Sequence, residues 1–110
     1  MNIIFANTKV EKIFNSQKLL LKVYGEQATK IRVRMAVLKA ARCLAAVPVQ
    51  KPDRRHQLTG DRKGTFAVDL KHPFRLVFEP ADEPVPRKKD GGIDLDKVFS
   101  VRILQVEDYH

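Results

Sequence analysis

The 110-residue chain contains no tryptophan, a single cysteine and only two methionines. With Cys43 alone, no intrachain disulfide can form, which excludes the disulfide-stapled secreted miniproteins and fits a reducing compartment. Its place in a helical pattern makes Cys43 a buried or half-buried thiol. No apolar run nears the roughly 20 residues that cross a bilayer. The opening Met1–Lys9 has no basic stretch leading into an apolar one, so neither a membrane span nor a signal peptide is expected, and the protein is read as cytoplasmic. There is no Walker motif, no paired-glycine nucleotide fingerprint and no Cys/His ligand spacing, so neither a cofactor nor a metal site is expected.

Acidic residues are scarce over most of the chain. Residues 1–75 hold sixteen Lys and Arg against five Asp and Glu, a net +11, while residues 76–110 come to −3. A basic body of this kind attracts polyanions, RNA or DNA first among them, or an acidic protein. The size suits one domain (1–110) with a modest core.

What the chain does have is concentrated between Arg55 and Glu79. Phe66, Val68 and Leu70 alternate with Ala67 and Asp69; after Lys71-His72-Pro73, Phe74, Leu76 and Phe78 alternate with Arg75, Val77 and Glu79. Period-2 alternation bounded by Gly and Pro predicts a half-buried antiparallel hairpin. Arg75 then sits on its less apolar face, as either a structural charge or part of a site.

Upstream, Ile3–Phe5 reads as a first strand, and Thr8 with Glu11 as a capping box opening a helix over Lys9–Asn15. Lys18–Tyr24 is a short helical or irregular piece. The long helix is expected over Glu26–Ala46, with Ala28, Ile31, Met35, Leu38 and Ala45 inward and Lys30, Arg34, Lys39 and Arg42 on other faces. Downstream, the Pro- and charge-rich segment at about 80–97 reads as a long exposed loop that does not pair along its length. Phe99–Glu107 is a last strand. These elements predict an α+β domain in which an N-terminal strand and two helices pack on a twisted antiparallel sheet.

Gly60-Asp61-Arg62-Lys63-Gly64 can cradle a phosphate through Arg62, Lys63 and backbone amides, or can simply be a solvated turn. Three histidines remain: His72 in a turn, His56 beside Arg54 and Arg55, and His110 after Asp108 and Tyr109. Cleaving RNA without a metal requires taking a proton from a 2′-hydroxyl, giving one to the leaving 5′-oxygen and stabilising the phosphorane charge. Imidazoles suit both proton transfers. Asp108 or Tyr109 can assist, and Arg55, Arg62, Lys63 and Arg75 can hold phosphate.

The segment His-x-Leu-x-Gly-Asp-Arg-Lys-Gly at His56–Gly64, the strand Phe74–Phe78 and the terminal Val-Glu-Asp-Tyr-His together resemble the HigB-like toxins of the RelE/ParE superfamily. The resemblance spans nearly the whole chain. It implies a microbial RNase-like fold and the toxin of a type II toxin–antitoxin pair, an mRNA endonuclease acting on the translating ribosome without a metal. It further implies a helix-turn-helix, HigA-like antitoxin, through which alone the complex meets operator DNA. His56, Arg75, Asp108, Tyr109 and His110 match the family's active-site positions, and Arg62 and Lys63 its basic RNA-contacting turn. Two departures stand out: Ala67 replaces a serine common in relatives, and the 80–97 loop is much longer. The rival readings are a ParE-like, non-enzymatic inhibitor of DNA gyrase and a basic RNA-binding module that does not cut.

Overall fold

A computed structural model describes residues 1–108. Strand β1 (Asn2–Phe5) is followed by helices α1 (Thr8–Phe14), α2 (Gln17–Tyr24) and α3 (Gln27–Ala40), then by strands β2 (His56–Gln57), β3 (Phe66–Asp69), β4 (Phe74–Pro80) and β5 (Ser100–Asp108). The fold is α+β, with helices on a five-stranded sheet of order β1-β5-β4-β3-β2.

The sheet is mixed rather than antiparallel. β1 runs parallel to β5, Ile3 opposite Val101 and Phe5 opposite Ile103, while β2 to β5 form an antiparallel meander. A parallel neighbour needs a long crossover. The chain between β1 and β5 supplies one, so the first strand can add outside the last.

Side-chain alternation divides the sheet into two faces. Phe66, Val68, Leu76, Phe78, Val101 and Ile103 join Leu20, Ala28, Ile31 and Leu38 of the helices in the main core. Leu76, Phe78 and Ile103 are fully buried, each worth about 1.5–3 kcal/mol in area removed from water. The opposite face carries a smaller apolar cluster of Leu58, Ala67 and Val77 with Leu104 against it. The hairpin is therefore covered on both sides at Ala67 and Val77, which is more burial than its alternation suggests.

The helices depart from expectation in three ways. Asn7, not Thr8, caps α1, its Oδ1 accepting from Val10 N at 2.9 Å. There are three helices, the second capped by Ser16. α3 stops at Ala40, and Ala41 is extended. Helix propensity continues through Ala46, but propensity is a weak prior; Cys43, Leu44 and Val47 are buried instead, with Leu44 N donating to Val98 O.

Arg34 is also not on an outer face. It is 4 % exposed, its Nε donating to Asp69 O at 2.6 Å and an Nη to Pro52 O at 3.3 Å. Asp53, also buried, lies 3.8 Å away. A buried guanidinium needs such acceptors, and these tie α3 to the connector entering β2 and to the end of β3. Gln27 makes a similar tie, exchanging hydrogen bonds with the backbone of Lys71.

The 81–97 segment does pair in part. Arg87 bridges Ile93, Lys88 N donates to Gly92 O and Asp94 N to Pro86 O, and the Asp82 carboxylate accepts from the amides of Phe99 and Ser100. Side-chain acceptors and a glycine turn thus give a Pro-rich stretch a short hairpin arm.

Candidate active site on the open face of the sheet

The face turned away from the helices carries a row of charges crossing three strands. Asp69 on β3 stands opposite Arg75 on β4, and Arg75 opposite Glu107 on β5. Arg54 extends the row past the edge, its Nε and Nη2 lying 2.6 and 2.9 Å from the two Asp69 oxygens. Signs alternate along the row, so each charge is flanked by opposites.

A β-bulge creates this arrangement. Glu79 pairs with Arg102, and the same register continued would set Arg75 against Val106. Between Val77 and Phe78 the register shifts, Leu104 becomes the extra residue, and Arg75 meets Glu107 instead. Because successive side chains alternate faces, a one-residue slip moves every later residue to the other side. The bulge thus brings Glu107 onto the open face and Val106 into the main core.

Glu107 is the centre of the site. Arg75 donates to its Oε2 from Nε at 3.2 Å and Nη2 at 2.9 Å. Arg62 comes from the 3-10 turn Gly60–Arg62, between β2 and β3, and meets the same carboxylate on β5: Nη1 lies 2.7 Å from Oε2 and Nη2 contacts Oε1. Gln105 Nε2 donates to Oε1 at 3.2 Å. The Arg75 and Glu107 side chains are only 13 % and 16 % exposed, and Arg62 35 %. Hydrogen bonds from Arg62, opposed by desolvation and reinforced by Arg75, pull the Glu107 pKa down to about 2. The same carboxylate raises that of Arg62.

The turn can reach so far because glycines shape it. Gly60 and Gly64 have φ of +70° and +95°, the left-handed region that a side chain resists. Thr65 Oγ1 donates to Arg62 O at 2.7 Å and locks the return. Leu58 is buried beneath, on Ala67 and Val77.

His56 pairs with Ala67 and so shares the open face. Its Nδ1 lies 2.8 Å from the carbonyl oxygen of Arg54. A carbonyl only accepts, so Nδ1 carries the proton and, in the neutral ring, Nε2 is the basic nitrogen. Arg54 itself has φ +47°, a conformation costing a non-glycine residue about 1–2 kcal/mol. The paired Arg54–Asp69 charges and the Arg54 N to Gln50 O bond of 2.8 Å hold it there.

The expected site residues therefore separate. His56, Arg62 and Arg75 lie on one face, where Arg62 and Arg75 meet at Glu107. Lys63 is exposed in the same turn, lining one cleft with Gln57, Arg87 and Asp90 and another with Glu79 and Arg102. Arg55 does not join them: its Nε donates to Val47 O at 3.0 Å, and burial lowers its pKa. It anchors the connector. Asp108 stands opposite Phe74, on the alternate side of β5 from Glu107. Tyr109 and His110 lie outside the described residues. Glu107, the residue with the most contacts to the site cations, carries no role in the sequence reading. Its signal would have been a lone carboxylate in a β-branched strand, and nothing local reveals the bulge that aims it.

Beyond the site, none of the helices among the described residues is long and apolar enough to cross a membrane. No protein-family model matches the chain, and no curated protein matches it at a significant level.

Proposed function

We propose that this chain is the toxin of a type II toxin–antitoxin pair, a HigB-like member of the RelE/ParE superfamily that cleaves mRNA on the translating ribosome. The supporting observation is the convergence of two arginines, from a turn and from β4, on one point of an open sheet face that also carries His56. Arginine forks converging from two sides suit a phosphodiester, whose equatorial oxygens gain charge in the transition state. His56 Nε2 is the unprotonated nitrogen and acts as the general base on the 2′-hydroxyl. On this reading His110, which lies outside the described residues, returns a proton to the leaving 5′-oxygen, a transfer that an imidazole suits. In this reading the ribosome presents the mRNA, a helix-turn-helix antitoxin silences the toxin, and operator DNA is met only through that complex.

The test is induction in a bacterium with mapping of new mRNA 5′ ends, alongside His56→Ala and a chain lacking His110. Cuts within translated frames that vanish in both variants are the expected result. Growth arrest with intact mRNA and broken DNA would favour gyrase inhibition, and RNA binding without cuts would favour a non-cleaving module. A folded, non-toxic protein would remove both toxin readings.

A further inference from the structure

The carboxylate of Glu107 occupies the point on which Arg62 and Arg75 converge. It accepts from Arg75 through two N–H groups, from Arg62 through two more, and from Gln105. An ordinary surface ion pair joins exposed, mobile side chains and contributes little. This one is different in build. Arg62 comes from the distant turn between β2 and β3. Arg75 and Glu107 are both mostly buried on the face whose apolar cluster holds no helix residue among the described residues. The donors are those of a phosphate seat, and the seat is filled from within.

We infer that Glu107 is an internal stand-in for the substrate phosphate, which holds Arg62 and Arg75 converged and must be displaced before RNA can bind. The inference rests on the endonuclease reading above for the identity of the substrate. It adds a device for selectivity. A tethered carboxylate competes at an effective concentration in the millimolar range or above, so free phosphate is turned away. A phosphodiester held by further contacts can take both arginines. Displacement also relieves the carboxylate of its cationic partners, which restores ordinary basicity beside the reacting centre.

The experiment measures inorganic phosphate binding by calorimetry to the full chain, to Glu107→Gln, and to Asp61→Asn as a control. Asp61 is exposed beside Arg62 and interacts with it only through space, so its neutralisation removes the same charge without vacating the seat. The expected result is a gain of about tenfold or more for Glu107→Gln, in keeping with the loss of charge-assisted hydrogen bonds that phosphate must otherwise break. That gain disappears when Arg75→Ala is added, and Asp61→Asn gains at most about threefold. Equal or weaker phosphate binding by a folded Glu107→Gln protein overturns the inference, as does an equal gain in Asp61→Asn. Should Glu107→Gln not fold, Glu107→Asp decides, because it keeps the charge and withdraws it by one methylene: a gain supports displacement and no change overturns it. Ribosome-bound mRNA is offered to the full chain in parallel. Phosphate gain without any cleavage leaves the stand-in intact and removes the nuclease reading instead.

Discussion

Arg75 and Glu107 face each other across β4 and β5, an arginine nitrogen 2.9 Å from a carboxylate oxygen, only because Leu104 is bulged out of the ladder between them. The pair joins the hairpin to the last strand, and Arg62 joins it to the turn before β3. Stability and any phosphate chemistry therefore depend on the same groups.

Arg75→Ala leaves Glu107 mostly buried with Arg62 and Gln105 as partners. A loss of about 1–2 kcal/mol is expected from urea unfolding, less than for a fully orphaned charge because Arg62 stays. On the proposed endonuclease reading, cleavage of ribosome-bound mRNA should fall at least about a hundredfold.

The pH dependence of stability follows from Glu107. Its folded pKa is about 2, against an ordinary 4.5. A depressed carboxylate contributes stability that is full above the unfolded value and is lost as pH falls toward the folded one. Denaturation midpoints should therefore decline from about pH 5 down toward pH 2. In Glu107→Gln that decline should be shallower.

If the proposed endonuclease reading holds, His56→Ala should reduce cleavage by about 10²–10⁴, the usual worth of a general base. The cost in stability should be about 1 kcal/mol, for one hydrogen bond to Arg54 O. Matching 5′-end maps and unfolding curves separate the two effects.

Arg34→Ala removes a buried cation whose partners are the carbonyls of Asp69 and Pro52 and the nearby Asp53 carboxylate. It should destabilise by about 3–5 kcal/mol, read from urea unfolding. This would be a larger loss than for any open-face charge.

Gly64→Ala forces a side chain into φ +95°. A cost of about 1–2 kcal/mol is expected. Because the turn then aims Arg62 differently, on the proposed reading phosphate binding should weaken together with stability, where an ordinary turn variant would change stability alone.

Much of this was legible locally. The hairpin, the first strand, the helix after Asn7 and the inward set Ala28, Ile31 and Leu38 follow from periodicity, which reports burial of one face without reference to what lies opposite. His56, Arg62 and Arg75 stood out as candidates because cations and an imidazole are unusual beside an apolar strand pair.

Other features were settled between distant parts of the chain. Arg34 reads as a surface residue by helical spacing, and only the carbonyls of Asp69 and Pro52 make its burial tolerable. The Ala-rich run reads as helix to Ala46, and the packing of Leu44 under Val98 ends it at Ala40. β1 is indifferent to direction until β5 offers an outer edge. Most of all, Glu107 and Asp108 are neighbours whose faces are assigned by a single extra residue, Leu104, in a ladder with β4. Local pattern determines which residues alternate. The partner strand's register decides which of two adjacent carboxylates meets Arg75, because register is a property of the pair and not of either strand.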